Sequence, residues 1–250
     1  MPIAHYLLPD LINVPGGDFA MGSDSHGRNE APVHRVWIDP FALAKYPVTR
    51  KEYALFVAAT GHSPPTFWHE LPFQHPEQPV AGPSWNDAVA YCTWLSEITG
   101  KTYRLPSEAE REKAARGGLK NSAYPWGDEL PDDYKGGRDT PLDTIGHDGP
   151  NGYGFYDMSA GVHEWCADYY DKSYYANSPE RNPLGPTSGT RRAARGGSWR
   201  HEVRFSRCAG RSSLAPDKQF SDFGFRCALQ RSNPLAALFL HPNCTTTARK

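Results

Sequence analysis

The chain has 250 residues and a formal net charge of −1, from 27 Lys+Arg against 28 Asp+Glu, so it offers neither a basic nucleic-acid surface nor an acidic tail. Its 23 glycines, 23 prolines and 12% aromatic content describe a turn-rich chain with an aromatic core rather than a helical bundle. The N-terminal stretch has no basic n-region, and nothing reaches the length of a membrane span, so the expectation is a cytoplasmic protein with no membrane contact.

In chain order, Val14-Pro15-Gly16-Gly17 reads as a turn entering a short strand through Phe19 and Met21. His34, Val36 and Ile38 alternate with Arg35, Trp37 and Asp39 as a half-buried strand. Thr49 and Glu52 form a capping box ahead of Tyr53, Phe56 and Val57, and Gly61 stops the helix, which predicts a helix at about 50–60. Five prolines between 61 and 83 mark a fixed loop. Ser84 to Asp87 opens a second helix that Gly100 ends. Ser107 to Glu110 caps a short third helix that runs to about Ala115 and closes at Gly117-Gly118. From Tyr124 onward short apolar pieces alternate with Gly, Pro, Asn and Asp, which predicts short strands joined by long ordered loops. The pattern predicts an α+β arrangement with two to three helices, in one large domain or two small ones. The stretch 232–250 reads as a peripheral or frayed tail.

The stretch Arg195–Ala228 organises the rest. Gly196-Gly197 before Ser198 and Trp199 calls for a backbone that bends or is closely approached. Arg204, Arg207, Arg211 and Arg226 need partners, because guanidinium groups are rarely buried alone. We read the stretch as the floor and wall of a cleft lined by Ser198, Trp199, His201, Arg204, Arg207 and Arg211. Arg207, Arg211 and Asp217 either grip a carboxylate or peptide backbone there or form a structural ion-pair lattice. A nucleophilic role for Ser198 lacks an identifiable base. The five cysteines contain no CxxC pair, which argues against a thiolate zinc site.

Nine motifs in order then carry a family likeness. They include Gly16-Gly17-Asp18-Phe19, Pro47-Val48-Thr49, Arg104-Leu105-Pro106-Ser107-Glu108, Asn151-Gly152-Tyr153-Gly154-Phe155, Glu164-Trp165, Arg195-Gly196-Gly197-Ser198-Trp199 and Gly224-Phe225-Arg226. Over roughly 11–231 the chain resembles the formylglycine-generating enzyme, or sulfatase-modifying factor, superfamily. The resemblance implies a single domain over 11–231 with a C-type-lectin-like core, little regular secondary structure and a small twisted sheet. It also implies a choice of activities, since the superfamily holds copper-dependent oxidases that make formylglycine, iron-dependent oxidases and non-catalytic binding proteins.

The oxidase branch places two copper-binding thiols after the GGS-aromatic motif. Here His201 stands at the first place and Ser206 at the second, so the resemblance argues against copper and against formylglycine generation. His201, the candidate catalytic residue, could join His163 and Glu164 as an imidazole–carboxylate set for iron, or simply hydrogen-bond a loop or ligand. The resemblance implies a structural Ca2+ held by Asp157 and Glu164 with the carbonyls of Ala160 and Val162, the alternative being that Glu164 pairs with an Arg. It places a second Ca2+ site near Asp133-Tyr134, where the loop is shortened. It also matches Cys92 and Cys227 to a disulfide of secreted members, which predicts two neighbouring thiols in a reducing compartment, and it leaves Cys208 unpaired. The leading expectation is a cleft that binds a peptide, a protein partner or a small amino-acid-like ligand. The alternative is an oxidoreductase of the same superfamily, with non-haem iron or, less favoured, formylglycine-generating.

Overall fold

Thr49, Ser84 and Ser107 each accept the amide three residues on, while Glu52, Asp87 and Glu110 reach back. Three capping boxes thus start α1 (Arg50–Thr60), α2 (Trp85–Thr99) and α3 (Glu108–Arg116). Gly61, Gly100 and Gly117 end them in the left-handed region. The structure is a computed structural model that describes residues 8–131 and 141–230. The tail at 232–250 and the segment around Asp133-Tyr134 lie outside the described residues.

Among the described residues ten short strands complete the α+β architecture: β1 (Leu11–Val14), β2 (Gly17–Met21), β3 (His34–Ile38), β4 (Phe41–Ala44), β5 (Tyr103–Arg104), β6 (His163–Tyr169), β7 (Arg192–Arg195), β8 (Arg211–Leu214), β9 (Phe223–Gly224) and β10 (Ala228–Leu229). The small sheet that the resemblance implies is divided, in the described strands, between two four-stranded sheets, β1-β4-β10-β5 and β8-β7-β6-β9, and a β2-β3 hairpin. The reason is long-range. β10, near the end of the domain, inserts between β4 and β5, a pairing that no local pattern encodes. β6 pairs antiparallel with β7 and parallel with β9, with His163 opposite Phe223 and Glu164 opposite Gly224.

An aromatic cluster of Tyr53, Phe56, Tyr91, Trp94 and Phe225 locks α1 and α2 onto the sheets. A second core, with Val36, Ile38, Ala109, Phe155 and Met158, lies under the hairpin and α3. Every residue of α3 is buried, although six of its nine side chains are charged. Arginines from distant motifs answer its acids. Arg111 and Arg226 both clamp Glu164, and Arg195 pairs with Glu108 and Glu112. Arg211 forks onto Glu108 at 2.7 and 2.9 Å. The helix is thus the hub of a buried ion lattice, which is why strongly polar residues are tolerated there.

Cys92 and Cys227 meet, with their sulfurs 3.7 Å apart and unlinked. Cys208 is a buried free thiol in the same cluster as Ala115.

Candidate functional site

β7 ends at Arg195, and the chain turns sharply through Gly196 and Gly197, both at positive φ. A Cβ on Gly197 would lie 2.0 Å from Ser206 Oγ, so only glycine fits this turn. The turn carries Trp199 back to donate its amide to the Gly161 carbonyl (2.9 Å), and the His201 amide to the Ser198 carbonyl (3.0 Å). Ser198 is fully buried and donates its hydroxyl to Asp222 Oδ2 at 3.0 Å. Asp222, just before β9, accepts the His163 amide on its carbonyl at 2.8 Å.

Three segments therefore deliver His163, His201 and Asp222 to one point, with one ligand-type atom of each within 4.8 Å of the others. His201 Nε2 lies 3.4 Å from Asp222 Oδ2, and the two imidazole rings are 5.2 Å apart. His163 and Asp222 are buried and His201 is half-exposed. His163 Nδ1 is buried without a hydrogen-bond partner. Burial pushes the His163 pKa down to about 4, against the pull of Asp222 and with the His201 ring adding to the decrease, so the ring is neutral near pH 7. Beside the cluster opens a cavity of about 300 Å³, lined by His163, Gly197, His201, Phe205, Gly210 and Ser212 together with Glu30, Arg207 and Arg211.

The sequence reading placed the correct histidines here but the wrong carboxylate. His163 and Glu164 are consecutive on β6 and point to opposite faces of the sheet. Both Glu164 oxygens accept from Arg111 and Arg226 at 2.6–2.8 Å. Burial would raise the Glu164 pKa, but the Arg111 and Arg226 guanidiniums outweigh it and hold the carboxyl below its usual range. The carboxylate that joins the histidines is Asp222, which sequence reasoning missed. Its signal was the Ser221-Asp222 pair ahead of Gly224-Phe225-Arg226, brought to His163 by the parallel β6–β9 pairing.

Of the other expected cleft residues, Arg207 and Arg211 line the same cavity as His201, while Ser198, Trp199 and Arg204 do not. Arg207 borders the cavity, but its guanidinium is committed to Glu30 at 2.6 and 2.8 Å, and that of Arg211 to Glu108. Arg204 is exposed and pairs with Glu202, and Asp217 is exposed beside Lys218. Trp199 borders a separate cavity of about 310 Å³ with Leu142, Asp157 and Ala160, and packs against Phe73. The lattice reading of Arg207 and Arg211 accounts for their contacts.

As a calcium set, Asp157, Ala160, Val162 and Glu164 do not fit. Two buried guanidiniums occupy Glu164, and Arg226 also donates to the Asp157 carbonyl (3.3 Å) while Asp157 Oδ2 accepts the Gly146 amide (2.7 Å). A divalent cation ligated by Glu164 would sit against two cations. Burial raises the Asp157 pKa to about 6.

Among the described residues no cysteine lines the cavity beside His201. Cys166 and Cys208 are buried in the core, and burial pushes the Cys208 thiol up to about 12, so neither is a ready thiolate.

Residues 3–231 match the sulfatase-modifying factor enzyme 1-like domain. The chain is 35% identical to a formylglycine-generating enzyme of Streptomyces coelicolor, covering 87% of this chain and 88% of that one. It is 30% identical to the inactive C-alpha-formylglycine-generating enzyme 2 of Mus musculus, over 94% and 90%. Among solved structures, PvdO from Pseudomonas aeruginosa superposes with a TM-score of 0.79 at 29% identity, covering 89% of this chain and 95% of that one. The overall fold is thus that of a known architecture, and the chain belongs to the sulfatase-modifying factor enzyme 1-like family.

Proposed function

We propose that this chain is a family member without copper-thiolate chemistry, whose cleft at His163, His201 and Phe205 binds a small amino-acid-like ligand or the side chain of a peptide. One observation carries this reading. The cavity at the end of the Gly196–Trp199 turn is lined by imidazoles, an aromatic ring, glycine backbone and Ser212, with Arg207, Arg211 and Glu30 on its wall and the described cysteines elsewhere. Its volume of about 300 Å³ suits one amino-acid-sized group, at the small end of ligand pockets. Phe205, half-exposed at the rim, offers an apolar face, while Ser212 offers a polar contact.

The test has two arms. A thermal-shift screen of free amino acids and short peptides should yield a binder whose stabilisation follows mass action and is lost in Phe205→Ala. A cysteine-containing peptide incubated with the protein, Cu(I) and oxygen should yield no aldehyde by mass spectrometry. Formylglycine formation in the second arm overturns the reading. So does a screen in which no compound shifts the wild-type protein.

The oxidoreductase reading is favoured by a separate observation, the convergence of two imidazoles and a carboxylate on one point. It requires a metal at that point.

A further inference from the structure

We propose that His163, His201 and Asp222 form a binding site for one divalent first-row transition ion, with its open coordination positions facing the cavity beside Phe205. The site stands independently of whether the cavity takes an amino-acid-like ligand.

The donor set is the first argument. Two imidazole nitrogens and one carboxylate oxygen are borderline ligands that suit Fe(II), Co(II), Ni(II) or Zn(II). Calcium and magnesium prefer all-oxygen sets, and Cu(I) prefers thiolates. Three protein ligands with room for further ones is the arrangement that leaves positions for water or substrate.

Geometry is the second. Ligand atoms held at about 2.1 Å from a shared ion lie about 3.0–3.4 Å from each other. His201 Nε2 and Asp222 Oδ2 are already 3.4 Å apart. All three ligand atoms fall within 4.8 Å, so only a modest rotation of a side chain closes the set. His201 sits in a half-exposed turn where such a rotation is cheap.

The third argument is independent of the cluster's shape. His163 is 6% exposed, yet its Nδ1 has no hydrogen-bond partner. A buried polar nitrogen left unpaired carries a desolvation cost, and groups of this kind call for an explanation such as an ion or a catalytic role. Ser198 supplies what metal-binding carboxylates generally have, an outer hydrogen bond that fixes their orientation. Arg200 Nη1, 4.0 Å from Asp222 Oδ1, is half-exposed and free to swing away when a cation enters.

The competing account is a His201–Asp222 ion pair with His163 idle behind it. The two accounts differ in metal uptake. The full-length protein is stripped with a chelator, dialysed and titrated anaerobically with Co(II), with visible d–d absorption and equilibrium dialysis as readouts. One Co(II) per chain is expected, displaced by excess Zn(II) in competition. His201→Ala and Asp222→Asn should each weaken uptake at least about tenfold. His62→Ala, at an imidazole–carboxylate pair with Asp87 elsewhere in the fold, should leave uptake unchanged. Circular dichroism confirms that the variants fold. Absence of d–d bands at excess cobalt overturns the site, and so does uptake that persists undiminished in both His201→Ala and Asp222→Asn.

Discussion

The two faces of β6 hold charge in opposite ways. On one face, Glu164 is enclosed by Arg111 and Arg226, and the lattice runs on through α3 to Arg195 and Arg211. Its carboxylates meet guanidiniums at close range and are shut away from solvent. On the other face, one residue back, His163 is buried with an unused nitrogen, beside a half-exposed His201 and a carboxylate it does not neutralise. In the lattice these acids and guanidiniums are paired, even though Arg195 Nε is left without a hydrogen bond. The His163 face retains unmet hydrogen-bonding capacity next to a cavity, the pattern expected where a protein reserves groups for something it binds.

That contrast can be broken most severely at Glu164. Glu164→Ala leaves Arg111 and Arg226 buried without a counter-charge and should cost about 3–5 kcal/mol in urea denaturation. A loss under about 1 kcal/mol would show that water reaches these guanidiniums and that the lattice is not closed.

Asp168 is next. It accepts the Glu108 amide at 2.8 Å, and burial together with the Glu108 and Glu110 carboxylates pushes its pKa up to about 8. A carboxyl whose folded pKa exceeds its unfolded value favours the folded state when protonated. Its contribution is therefore lost progressively as pH rises from about 4 toward about 8. Asp168→Asn keeps an acceptor for the Glu108 amide and removes that titration. It should flatten the stability–pH profile in this window and stabilise the protein at pH 8 by a few kcal/mol, on the order of 3. An unchanged slope would mean that Asp168 is already ionised in the folded protein.

Arg207 sharpens the comparison at the border between the two regions. If its role is to hold Glu30, Arg207→Ala should cost roughly 2–3 kcal/mol by stranding a buried carboxylate. A ligand-gripping Arg207 would instead leave stability nearly intact and weaken binding.

The smallest effect belongs to the His163 face. His201→Ala should change stability by no more than about 0.5 kcal/mol, because the ring is half-exposed and its pairing with Asp222 is partly solvated. A large loss in the same urea measurement would recast His201 as a structural residue and erase the contrast.

Much of this molecule was legible in local pattern. The three helices follow from Thr49, Ser84 and Ser107 with their answering acids, and from the glycines that end them. The strand at His34–Ile38 follows from its alternation, and the special turn from Gly196-Gly197. His201 and His163 were also picked out correctly as neighbours. Of the roles open to Glu164, the pairing with Arg is the one the structure shows, and Glu164 does not join His163 because a strand sends neighbours to opposite faces. Arg207 and Arg211 stayed ambiguous because nothing local to them names Glu30 or Glu108, which are 177 and 103 residues away.

The sequence by itself determined the capped helices, the α+β class and the residue types available to the cleft, since caps, periodicity and glycine turns act over a few residues. Only the tertiary structure decided which charges pair and which stay open. β10 enters between β4 and β5, β9 lies parallel to β6, and α3 is buried among arginines from distant motifs. Those pairings are set by long-range backbone hydrogen bonds and by the cost of leaving a buried charge alone, and that cost is what assigns Glu164 to the lattice and leaves Asp222 with the histidines.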